Sequence, residues 1–466
     1  MSQRARRVSR RAGLGLIASV SLVAVLASPA AAHGVGGRID LPLPAWQLAW
    51  AAGFAVAISF VALGAFWSEP RLADASTGSA MPAPLRDFGS PGVAIGRVFG
   101  LVAFGLTLAA AWFGTEAGDE NLAPVALFIT FWVGMQIASF LFGDVWRACN
   151  PLWTLAHAGA WVRARITRTE LSPATHGEAT HWPAAIAIFS FLWLELAYHS
   201  PDSPRSIAVF LTMYSVIVLM GASVFGRGWA RTSEGFGVLF SKLAAMAPMY
   251  RDDEGVLRFR LPMAGLARLD MRRGTVPFIL IVLGSTSFDG FTRSSWWLEI
   301  RGNRTGWEYT IVSTIGLIIV IGVVALAYGI AIALMARITG DSFGELSDRF
   351  GPSLVPIAAA YAVAHYFSLF ILEGQALFAL LSDPFGRGAD IFGTADRDID
   401  YSVISTTAIA WVQTVSIAIG HVFGVAVAHD RAIERWKHPL AIKSQYPMLG
   451  VMVLYTVVGL FLLLGA

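Results

Sequence analysis

Six side chains able to do acid–base or metal chemistry stand in or beside apolar stretches of this chain. They are Glu195 and His199 in WLELAYHSP, Asp289 in STSFDGF, His365 and Glu373 in AHYFSLFILEGQ, and His33 at the head of HGVGGRIDLPLP. An ionisable group in a hydrocarbon setting is costly, so each is a candidate functional residue. Glu195 and His199 are four apart and share one face of a helix, as His365 and Glu373 do at a spacing of eight. Imidazole and carboxylate together suit Zn, Mn, Fe or Cu, whereas the lack of a thiolate pair or a methionine cluster disfavours a Cu(I) conduit. A bound metal lowers the pKa of its water and polarises a phosphoryl or carbonyl oxygen. His199, Asp289, His365 and His33 are then the expected ligands, with Glu373 and Glu195 as catalytic carboxylates. The same groups could equally satisfy one another within a bundle, and no HExxH-like spacing marks a metal site. Gln413 and His421 add polar atoms to a further apolar run, His421 deeper than the rest.

Positioning these residues falls to membrane helices. The 466-residue chain is 56% hydrophobic and only 14% charged, too apolar for a solvated globule. Apolar windows of about 20 residues, the length that crosses a bilayer, lie near 45–67, 93–114, 123–143, 182–199, 205–225, 274–290, 309–336, 352–381, 403–428 and 447–465. They lack two-residue alternation, and lipid leaves strand edges unpaired, so the expected fold is an all-α polytopic bundle of about ten spans. A single cysteine, Cys149, rules out an intramolecular disulfide and an iron–sulfur cluster. Neither a phosphate-binding GxxxxGK[ST] loop nor a dinucleotide fingerprint is present, and no nucleic-acid partner is expected.

The first residues read as an export signal. Arg4, Arg6, Arg7, Arg10 and Arg11 precede an apolar run, and Ala30, Ala31 and Ala32 supply small residues for cleavage. Residues 1–32 are thus expected to leave, and residues 33–466 to form one transmembrane domain that begins with His33. A free N-terminal histidine chelates copper through its amine and its ring, an arrangement similar to that of copper-binding oxygenases and periplasmic copper carriers. With His33 outside, the inward connections carry 22 Lys and Arg and the outward ones 7. That asymmetry orients a bacterial inner-membrane protein with both mature termini outside.

Two strings mark the inner face. FGDVWRACNPLWTL (142–155) breaks a helix at Asn150-Pro151, with Asn150 as cap and Pro151 at the permitted first-turn position of the next helix. In the same string Asp144 and Arg147 are spaced to pair. WVRARITRTEL and GFGVLFSKLAAMAPMYR mix apolar and basic positions as interfacial surface helices do.

Taken together, HGVGGRIDLPLP, FGDVWRACNPLWTL, GWARTSEGFGVLFSKLAAMAP and STSFDGF resemble a family of bacterial multipass membrane proteins known as fenitrothion hydrolases, with the similar stretches scattered over residues 33–291. The resemblance implies a membrane-bound hydrolase of organophosphorus esters but transfers no catalytic residues. A small apolar ester would reach an outer-leaflet pocket from the bilayer, where metal-bound hydroxide attacks phosphorus. Two other readings stand beside it: a permease for a metal ion or small solute, and a copper-handling accessory protein built on His33.

Overall fold

The computed structural model of the protein describes residues 43–82, 89–168, 180–252 and 254–464. The signal segment and His33 lie outside these residues. In chain order the helices are α1 (Ala45–Phe66), α2 (Gly89–Phe113), α3 (Leu122–Phe142, with a π-helical stretch at Val125–Phe131), α4 (Val145–Cys149), α5 (Pro151–Thr167) and α6 (Trp182–Leu196). They continue with α7 (Pro204–Phe225), α8 (Arg227–Ser233), α9 (Gly235–Ala244), α10 (Thr275–Thr292), α11 (Ser295–Arg301) and α12 (Gly306–Thr339). The last five are α13 (Phe343–Phe350), α14 (Leu354–Ile371), α15 (Ala376–Ser382), α16 (Thr406–Arg435) and α17 (His438–Leu464).

Among the described residues, nine helices are long and apolar enough to cross a membrane. Their outward faces are hydrocarbon: α1 exposes Phe54, Ile58 and Val61, and α12 exposes Ile311, Ile315, Ile319 and Leu326. Apolar surface on this scale has no place in water, and the chain is a multipass membrane protein. The tenth expected span, α6, has 15 residues and a length of about 22 Å, less than the ~30 Å hydrocarbon layer. It is instead sheathed by protein: Ile188, Phe191 and Leu192 are buried, with α10 and α9 packed along it.

The closest helix contact joins α14 to α16. Gly420 allows it, because a methyl group there would collide with Ala360, and Gly424 faces the carbonyl of Ser353. Helices α1, α12 and α17 complete that half, while α2, α3 and α7 gather on the other side of α6 and α9.

The bundle has two chemically different ends. One, here called the basic end, carries the connections rich in Lys and Arg and a small antiparallel sheet of β1 (Ser79–Ala80), β2 (Met249–Arg251) and β3 (Leu257–Phe259) in the order β1-β3-β2. The expected corner at FGDVWRACNPLW forms there. Asn150 accepts from the backbone N–H of Trp153 at 3.1 Å, Pro151 opens α5, and Asp144 caps α4 by accepting from the N–H of Arg147. Asn150 also donates to Glu234 (3.0 Å), as does Trp146 Nε1 (3.2 Å). Glu234, 1% exposed, further accepts from the N–H groups of Phe236 (2.9 Å) and Gly237 (2.7 Å) and from the hydroxyl of Tyr214. One carboxylate thus caps α9 and ties it to α4, α5 and α7.

That node corrects the expectation for GFGVLFSKLAAMAPMYR. Helix α9 is not an interfacial surface helix: Val238, Phe240 and Lys242 are buried. Phe236 and Phe240 pack on Phe131 at 4.8 and 5.6 Å, and this aromatic contact draws the helix inward. Lys242 reaches the carbonyl of Asp270 at 2.7 Å, and burial lowers its pKa to about 8. Nearby His181, bonded to Thr275 at 2.7 Å, is pushed down to about 3 by burial and by the Lys242 charge.

Candidate active site: a polar pocket at helix ends

Three helices, α6, α10 and α14, present their C-terminal ends to a cavity of about 380 Å³ at the end of the bundle opposite the sheet. Each helix supplies a polar side chain, two of them in the last turn. Glu195 is the penultimate residue of α6, Asp289 lies in the last turn of α10, and His365 sits above the middle of α14. The cavity is lined by these three, by Glu373, Arg293, Tyr366 and Ser368, and by Leu196, Leu369 and Leu372. Four of the side chains singled out from the sequence therefore converge.

Asp289 and His365 form the centre. Nε2 of His365 lies 2.5 Å from Oδ2 of Asp289, the imidazole 3% and the carboxylate 17% exposed. The imidazole and the carboxylate are thus in direct contact within the bundle. Glu195 receives the Tyr366 hydroxyl on Oε1 at 3.3 Å, and its buried Oε2 has no hydrogen-bond partner among the described residues. A buried unpaired carboxyl oxygen costs about 1–3 kcal/mol, which a ligand donor can recover. Glu373 opens a short 3-10 turn, Glu373–Gln375, and is held by the hydroxyl of Tyr401 at 3.1 Å. Gln375 binds the Asp400 carbonyl at 3.1 Å and accepts the Asp400 N–H at 3.2 Å, latching this loop across the rim.

Two sequence expectations are corrected. Residues 352–381 do not form one helix: α14 ends at Ile371, and the chain turns through Glu373–Gln375 before α15. Thirty helical residues would measure about 45 Å, well beyond a bilayer core. Glu373 reaches the pocket from the turn and not from a shared helix face. Glu195 and His199 do not share a helical face either, because α6 stops at Leu196. His199 is instead bound to Thr310 through its N–H (3.1 Å) and Nδ1 (3.0 Å), its ring 4.3 Å from Tyr198 and 5.6 Å from Trp307, and it does not line the cavity.

The sequence reading missed Arg293, Tyr366 and Tyr401. Arg293 caps α10 one turn beyond Asp289, and its guanidinium has no hydrogen-bond or ion-pair partner among the described residues. The spacing carries the signal, since Asp289 and Arg293 are four apart, as neighbours on one helix face are. Tyr366 adjoins His365 in sequence and faces the neighbouring helix; Tyr401 is distant, and only the fold brings it in.

Among the described residues, no three His, Cys, Asp or Glu side chains are arranged to hold a metal ion. Two ligands of a common ion, each about 2.0–2.2 Å from it, stand farther apart than Asp289 and His365 do at 2.5 Å. Binding an ion between them would require them to separate.

The site and the bundle define a multipass membrane protein with a polar pocket at one end. No family model, curated protein or solved structure matches the chain.

Proposed function

We propose that the protein is a membrane-embedded hydrolase of phosphorus esters, acting in the bacterial inner membrane with its pocket on the outer side. What supports this most is the meeting, in one cavity, of an unpaired guanidinium with a carboxylate–imidazole pair. Asp289, the more exposed member of the pair, takes the proton of an attacking water, and His365 behind it is a positioning residue that shares that proton. The hydroxide oxygen bonds to phosphorus while Arg293 holds the developing phosphoryl oxyanion in a two-toothed contact. The phosphorus–oxygen bond to the leaving alcohol breaks, and its oxygen takes the proton back. The outward orientation follows from the 22 to 7 bias in basic residues.

The test uses the full chain in detergent with a p-nitrophenyl phosphotriester, following release of p-nitrophenol. Asp289→Asn lowers the rate by about 100-fold or more, the usual scale for losing a general base, and Arg293→Gln by about 10-fold or more. Wild-type rates in both variants, or no turnover by the wild type, would end this reading. Bound metal is measured on the same samples. Stoichiometric Zn, Mn, Fe or Cu lost in Asp289→Asn would make the pair a ligand set.

One observation favours a second reading, a permease for a metal ion or small solute. His421, halfway along α16 and 0% exposed, has an Nε2 without a hydrogen-bond partner among the described residues and faces the rings of Tyr361 and Tyr455 at 6.0 Å each. A polar group at that depth suits a translocation path.

A further inference from the structure

We propose that this pocket recognises a zwitterionic phosphate ester, a phosphate carrying an ammonium group a few bonds away, as in a phosphoethanolamine or phosphocholine head. The inference rests on the pocket being the working site, as proposed above, and names the class of its ligand. Among the described residues Arg293 is the one lining side chain with a fixed positive charge, and its guanidinium makes no hydrogen bond or ion pair with them. Arg293 is exposed at the rim of the cavity, where a guanidinium is free to take a phosphate oxygen pair. The remaining field has the opposite sign. Asp289 and Glu373 line the cavity, Glu195 adds an Oε2 that has no hydrogen-bond partner among the described residues, and the C-terminal ends of α6, α10 and α14 meet there.

A simple anion meets this negative field everywhere except at Arg293. A simple cation leaves Arg293 without a partner. Only a ligand bearing both charges satisfies the two halves at once.

The depth of the pocket fits such a head. Arg293 ends α10, and α11 follows directly with Trp296, Leu298 and Ile300 exposed at 55%, 47% and 53%. A short helix offering Trp and aliphatic residues outward lies at the headgroup boundary. Leu196, Leu369 and Leu372 give the cavity an apolar side for the ester's alcohol. Two sources supply this chemistry, a membrane phospholipid and a water-soluble ester.

Binding to the full-length wild type in detergent is measured by calorimetric titration with phosphocholine, phosphoethanolamine, inorganic phosphate, ethanolamine and choline. The expected result is at least 10-fold tighter binding of the zwitterions than of phosphate or of either amine. Arg293→Gln removes that advantage and Arg293→Lys keeps part of it, while Glu195→Gln weakens the zwitterions and leaves phosphate unchanged. Phosphate alone binding as tightly as phosphocholine, an amine alone doing so, or no binding at all would each overturn the proposal, and none of these needs a variant that folds. Native mass spectrometry separates the sources: phosphatidylethanolamine retained by wild type and lost from Arg293→Gln identifies the lipid. Binding of the soluble esters with no retained lipid identifies the free ester. Zwitterion binding without triester turnover removes the hydrolase reading and leaves this one, and the converse result does the reverse.

Discussion

Glu234 shows how much one buried side chain can hold. Five donors from α4, α5, α7 and α9 end on its two oxygens, and a buried donor stripped of its acceptor costs about 1–3 kcal/mol. Glu234→Ala is expected to destabilise the protein by about 3 kcal/mol or more. Glu234→Gln, which keeps one acceptor oxygen, should fall between. Thermal midpoints in detergent check this, and an alanine variant melting with wild type would refute it. Lys242 makes a different prediction. Its pKa is 10.5 as a free side chain and about 8 in the fold, because burial disfavours the ammonium. The folded protein therefore binds fewer protons than the unfolded chain between these values, and this residue's contribution to stability rises as pH goes from about 8 to 10.5. The difference in midpoint between wild type and Lys242→Met should change across that window and be flat below it. A difference independent of pH would mean that the amine is not depressed.

Helices were largely legible, because composition and a run of about 20 apolar residues force them in lipid. Nine of the ten expected spans have that length in the structure, and the cap at Asn150-Pro151 lies where the sequence places it. Helix ends were less legible. A break such as the one after Ile371 leaves no hydropathy signal, since Leu372 and Ala376–Leu381 are as apolar as the helix before them. The pocket was half visible: Glu195, Asp289, His365 and Glu373 stood out as charges in oil, whereas Arg293 and Tyr401 lie in connections where polar residues are unremarked. Amphipathic spacing misplaced α9, since a helix with a single buried lysine and a capped end gives the same pattern as one lying on a membrane. Contact between helices depends on small residues. Gly459 on α17 leaves room for the hydroxyl of Tyr361, which donates to the Tyr455 carbonyl at 3.1 Å. Gly459→Ala should push Tyr361 aside and cost about 1–3 kcal/mol, the usual scale for overpacking. A double change Gly459→Ala, Tyr361→Ala that costs less than the sum of the two single changes would confirm the clash, and an unperturbed Gly459→Ala variant would dismiss it.

At the scale of the whole molecule the two ends carry the asymmetry: a sheet, a carboxylate node and most of the basic residues at one, a pocket and the 383–405 loop at the other. In a Cys149→Ser background, cysteines placed singly at Asp202 and Asp396 should label from outside intact spheroplasts, and one at Glu345 only after lysis. Equal labelling of all three would remove the orientation on which the outer pocket depends.

Helix α6 bears on how the chain enters the membrane at all. Its 15 residues carry Glu195 near one end and are covered by neighbours on most sides. Taken singly by the insertion machinery, such a segment is too short to be held by lipid and would slip back. It joins α7 through only seven residues, Ala197–Ser203, so the two can cross as a hairpin, with α7 as the lipid-stable partner. The Glu195 carboxyl would then reach its depth as cargo of the next helix, and the pocket would exist only after α10 and α14, synthesised much later, had closed around it.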